Sequence, residues 1–67
     1  MPQVDSSAVT DIDYAPEQRI LLVRFQSGEI YAYAEVPPEL YAEFLAAESK
    51  GHFFQDYVRD RFDYWRL

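Results

Sequence analysis

The run from Arg19 to Pro37, RILLVRFQSGEIYAYAEVP, constrains the fold more than any other part of this chain. Two apolar segments flank Ser27-Gly28, and glycine supplies the positive φ of a tight turn, so the run reads as a β-hairpin. With Ser27 and Gly28 as a two-residue loop, Gln26 faces Glu29, while Phe25, Val23 and Leu21 face Ile30, Ala32 and Ala34. The same register sets Arg24 opposite Tyr31 and Leu22 opposite Tyr33 on the other side of the sheet.

The flanking segments complete the expected fold. Val9–Tyr14 carries β-formers without clean alternation and reads as a bulged strand paired to one edge of the hairpin. Ala15-Pro16-Glu17-Gln18 is a turn, because proline cannot donate to a ladder. Met1–Asp5 reads as a loose lead-in. Pro37-Pro38 ends the third strand and opens a helix with Leu40, Tyr41, Phe44, Leu45 and Ala47 at helical spacing. Ser49-Lys50-Gly51 is expected to close that helix, with Gly51 in the left-handed cap position. A second helix is expected from His52 or Phe53 to Arg61, burying a face of Phe54, Tyr57, Val58, Arg61 and Phe62. The tail Asp63–Leu67 is too aromatic for a free end and should dock. The predicted class is α+β, a three-stranded antiparallel sheet followed by two α-helices packed on one face, as a single domain over residues 1–67.

At 67 residues one core is only marginally sufficient, and five Phe, six Tyr and one Trp compensate by burying large areas. The absence of cysteine removes disulfides, thiolate zinc sites and a cysteine nucleophile, and it fits a reducing cytoplasm. The N-terminus lacks a basic region followed by an apolar core, and no apolar run approaches a membrane span. Twelve acidic residues against six basic ones give a formal net charge of −6, which works against binding a phosphate backbone.

In the predicted register the sheet face away from the helices carries Ile20, Leu22, Arg24, Tyr31 and Tyr33, too apolar for ordinary exposure. Either the sheet curls and the aromatic tail covers that face, or the face is a recognition surface. Two tyrosines beside an arginine suit base stacking, as in several RNA-binding sheets. They suit a protein partner or homodimer interface equally. Arg59 and Lys50 near the Gly51 turn, with the N-terminus of the second helix assisting, form the best small-anion site in the sequence. Arg61 should pair with a carboxylate or stack on an aromatic ring.

Catalysis and metal binding find little support. His52 is the only histidine, Ser49 is explained by helix termination, and His52 with Asp56 suits a surface pair. Asp11 with Asp13, and Asp56, Asp60 and Asp63, lack calcium-loop spacing and read as solvated acidic faces. The helical acids at 39, 43, 48, 56, 60 and 63 form a negative surface suited to a basic protein. No catalytic residue, metal or cofactor is predicted.

The chain resembles the KTSC domain family. The matching residues are Ser6-Ser7, Val9, Tyr14, Leu22-Val23-Arg24-Phe25, Gly28, Tyr31-Ala32-Tyr33, Val36-Pro37, Ala47-Glu48-Ser49-Lys50-Gly51, Phe53-Phe54, Val58-Arg59 and Tyr64. The family occurs at the C-terminus of some lysyl-tRNA synthetases and as small stand-alone bacterial and phage proteins. The resemblance implies no established activity. It implies RNA binding only through the synthetase association, with the family's Y-x-Y motif falling on Tyr31 and Tyr33. Many similar members are more basic around that motif, whereas the residue between these tyrosines is Ala32.

The sequence therefore predicts a non-enzymatic, cytoplasmic binding module. It would take RNA, tRNA or a nucleotide ligand by stacking on Tyr31 and Tyr33, with Arg24, Lys50 or Arg59 at phosphate. The alternative is a protein-interaction or self-association module that uses the apolar sheet face or the acidic helical surface.

Overall fold

The structure is a computed structural model that describes residues 9–67. The lead-in expected over Met1–Asp5, and Ser6-Ser7 of the family pattern, lie outside the described residues. Six elements follow in order: β1 (Val9–Ala15), β2 (Ile20–Phe25), β3 (Ile30–Tyr33), α1 (Pro38–Ala46), α2 (Lys50–Tyr57) and β4 (Tyr64–Arg66). The strands form one antiparallel sheet in the order β1-β2-β3-β4. The α+β class holds, with four strands instead of three. The aromatic tail docks as the added strand, and Leu67 N donates to Ile30 O at 2.9 Å.

The hairpin register differs from the expected one by one residue. Gly28 N donates to Phe25 O at 2.8 Å and Phe25 N to Glu29 O at 2.9 Å, with Gly28 at φ 95°. The loop is thus the three residues Gln26-Ser27-Gly28, a turn closed by a left-handed glycine. Arg24 then faces Ile30, Val23 faces Tyr31, Leu22 faces Ala32 and Leu21 faces Tyr33. Because side chains alternate, the slip carries both tyrosines to the face of Leu21 and Val23. The longer loop wins because it gathers the large side chains on one face. The two-residue loop would bury alanines there and leave two tyrosines in water.

The core follows from that register. Leu21, Val23, Tyr33, Val36, Phe44 and Val58 are buried together, with Leu40, Tyr41, Phe53 and Phe54 of the helices packed against them. β1 adds Ile12 and Tyr14 to the same face, and its expected irregularity falls between Val9 and Asp11. Tyr14 stacks on Tyr41 with centroids 4.9 Å apart and donates its hydroxyl to Val36 O at 2.5 Å, anchoring α1 to the sheet. The opposite, outer face carries Leu22, Arg24, Ile30, Ala32 and Trp65.

The helix boundaries also differ from expectation. α1 stops at Ala46, and Ser49 starts α2 instead of ending α1, its hydroxyl accepting from His52 N at 3.2 Å. Gly51 is a buried helical residue, and Gly28 is the only positive-φ glycine among the described residues. Lys50 does serve the end of α1, donating Nζ to Leu45 O at 3.1 Å and Ala47 O at 2.9 Å. α2 ends at Tyr57, where Arg59 N turns back to Phe54 O at 2.8 Å. Arg61 therefore leaves the helix and is exposed, with no ion pair among the described residues.

Candidate functional site

The loop that sets the register also places the aromatic side chains of the sheet against α2. Phe25 at the end of β2 meets Tyr31 of β3 edge-on at 5.6 Å, and meets Phe54 of α2 at 5.4 Å. Phe54 meets Tyr33 at 5.7 Å, Tyr33 stacks on Tyr64 of β4 at 5.5 Å, and Tyr64 returns to Tyr31 at 5.7 Å. Five rings from three strands and a helix thus close a continuous circuit in offset and edge-on geometries. The circuit floors an open cleft of about 460 Å³, rimmed by Ser27, Glu29, Arg59 and Asp60.

The rings differ in how they face the cleft. Tyr33 is only 3% exposed, Tyr31 is half-buried, and Tyr64 is 56% exposed. Tyr31 and Tyr33 do not form the open stacking platform expected of them, since they lie under the helical side of the sheet. They reach the surface only as parts of the cleft. The Tyr33 hydroxyl has no hydrogen-bond partner among the described residues, although buried hydroxyls ordinarily find one. The rim is mixed in charge. Glu29 is held by Arg66 at 3.1 Å, while Arg59 and Asp60 have no ion pair among the described residues.

The other expected cations fall elsewhere. Arg24 lies on the outer face, in a groove of about 120 Å³ with Asp11, Asp13, Leu22 and Ile30. Lys50 is occupied with the α1 carbonyls, so it forms no joint anion site with Arg59. Of the five candidate residues, the fold brings together Tyr31, Tyr33 and Arg59. Sequence reasoning missed Phe25, Phe54, Tyr64 and Asp60. The aromatic tail carried the one usable signal, since docking it on the hairpin edge brings Tyr64 beside Tyr31 and Tyr33. His52 is exposed, and no ion pair joins it to Asp56 among the described residues. No group of three or more His, Cys, Asp or Glu is placed to hold a metal among the described residues. No described helix is long and apolar enough to cross a membrane.

Burial holds the Tyr33 phenol well above its ordinary value near 10, with Tyr64, Tyr31 and Asp60 adding to the shift and Arg59 opposing it. The folded protein therefore keeps a proton that the unfolded chain releases, so the associated stability is complete below about pH 10 and falls as pH rises beyond it. Tyr33→Phe is expected to flatten that alkaline loss, followed by circular dichroism at increasing pH. Identical alkaline midpoints for the variant and the parent would remove Tyr33 as the linked group.

The family model of the KTSC domain matches residues 5–62 of this chain. The chain belongs to the KTSC domain family. A KTSC domain protein from Yersinia pestis, known from its crystal structure, superposes with a TM-score of 0.88 at 33% identity, covering 96% of this chain and 90% of that one. A protein of Tsukamurella paurometabola is 47% identical over 62 residues, 92% of each chain. A lysine–tRNA ligase of Nostoc punctiforme is 29% identical over 63 residues, which are 94% of this KTSC chain and 11% of the ligase. The family model and the small relatives name no catalytic activity, and the ligase is matched over only 11% of its length.

Proposed function

We propose that this KTSC domain is a non-catalytic binding module whose aromatic cleft takes a nucleotide unit of single-stranded RNA. The observation that carries the reading is the closed circuit of five rings beside an arginine that has no ion pair among the described residues. Exposed Tyr64 and half-buried Tyr31 offer ring faces to a base, and the Arg59 guanidinium offers a two-pronged donor to a phosphate. The relative within a tRNA ligase is consistent with an RNA ligand. The −6 net charge limits affinity, and the contact of Arg59 with phosphate makes binding salt-sensitive.

Titration with tRNA and short single-stranded RNA, followed by tyrosine and Trp65 fluorescence, tests this reading. Binding at low salt is expected to weaken as salt rises. Tyr64→Ala or Tyr31→Ala should reduce it about tenfold, in line with about 1–3 kcal/mol for a stacked base. No binding at low salt overturns the reading.

A second reading, as a protein-interaction or self-association module, rests on the outer face, where Trp65 is 44% exposed and Leu22 and Ile30 are half-buried. Association through that face would hold or strengthen with salt.

A further inference from the structure

The cleft contains more polar chemistry than stacking on a base requires. Its second carboxylate, Glu29, is already held by Arg66, which leaves the Asp60 carboxylate as an acceptor without an ion pair among the described residues. Tyr33, only 3% exposed, lines the same cleft, and its hydroxyl likewise has no hydrogen-bond partner among the described residues. A buried polar group left unsatisfied is costly, so a ligand that satisfies it gains affinity and selectivity together.

These groups discriminate among base edges. A carboxylate only accepts, and its two oxygens are best met by two parallel donors. Guanine presents such a pair in N1–H and the exocyclic N2 amine, with O6 beside them as an acceptor for a hydroxyl. Adenine and cytosine place a ring acceptor next to their amine, which would oppose the carboxylate. Uracil has a single ring N–H flanked by two carbonyls.

We infer that the cleft is selective for guanine nucleotides, with Asp60 taking N1–H and the N2 amine, the Tyr33 hydroxyl donating to O6 and Arg59 holding the phosphate. The inference rests on the reading of the cleft as a nucleotide site. The shared chemistry is a guanine base carrying a phosphate, whether free or within an RNA strand.

The test is calorimetric titration of the whole chain at low salt with GMP, IMP, AMP and CMP. GMP should bind about tenfold tighter than AMP or CMP, the discrimination typical of a two-point base contact. IMP, which lacks the N2 amine, should fall between them. Asp60→Asn should abolish the preference without loss of folding, since Asp60 is exposed, whereas Arg59→Ala should weaken all four ligands. Equal binding of all four, still weakened by Arg59→Ala, overturns guanine selectivity and leaves the nucleotide reading intact. No binding of any of them overturns both. A short oligoadenylate with one central guanosine separates the two sources. Tighter binding than GMP assigns the site to RNA, and affinity equal to that of GMP assigns it to the free nucleotide.

Discussion

Phe44→Ala is expected to leave the domain largely unfolded at 25 °C. Phe44 is the largest fully buried side chain and the only buried residue of α1. It stacks on Phe53 at 5.0 Å, so its removal opens a void between the helices as well as above Leu21 and Val23. Large-to-small changes of this kind cost about 3–5 kcal/mol. A chain of this length has a total of only about 3–10 kcal/mol at ordinary stability per residue. Phe44→Leu, which keeps most of the volume, should remain folded with a lowered urea midpoint. A cooperative urea transition of Phe44→Ala near the parent midpoint would show that the core closes without this ring.

The second large effect is expected from removing Tyr64–Leu67. These residues look dispensable by exposure, since Tyr64, Trp65 and Leu67 are among the most exposed apolar side chains. Their contacts say otherwise. Tyr64 stacks on Tyr33 and meets Tyr31, and Trp65 sits opposite Ala32, a small residue that is nonetheless only 1% exposed. Losing two aromatic pairs together with the cover over β3 should destabilise the chain by about 3 kcal/mol. Thermal unfolding should shift down by more than 10 °C on that basis, and the near-ultraviolet signal of the tyrosines should fall. An unchanged melting temperature would mean that β4 is an ornament on a three-stranded sheet.

How much of this was legible in the sequence depends on how local the deciding interaction is. The bulged first strand, the hairpin, the proline-opened helix and the docking tail follow from short-range signals and are all present. The register is not local in the same sense. Ser27-Gly28 permits both a two-residue and a three-residue loop, and the choice is made by what the two faces bury at a distance. Choosing the shorter loop reverses every side chain of β3 relative to β2 and puts Tyr31 and Tyr33 on the wrong face, while Leu21, Val23 and Phe25 stay on the expected one. Ser49-Lys50-Gly51 misled for a related reason, since serine that begins a helix and glycine that ends one look alike when two helices nearly abut. The circuit of rings was illegible because it joins residues from Phe25 to Tyr64 across three strands and a helix. Tyr31, Tyr33 and Arg59 are among the five candidates the sequence offers, with the tyrosines expected on the opposite face.

The circuit of rings has one more consequence. Tyr33 belongs at once to the hydrophobic core and to the floor of the cleft, so the site has no scaffold separate from itself. Occupancy and folding are therefore thermodynamically linked, and any ligand confined to the folded state raises the stability of the whole domain. At a free concentration about 100-fold above its dissociation constant, that amounts to about 2.7 kcal/mol, a large share of what a chain this short possesses. By reciprocity, a substitution deep in the core that loosens Tyr33 reduces affinity without touching the ligand. In so small a protein, the cleft can be filled or emptied only by making the entire fold tighter or looser.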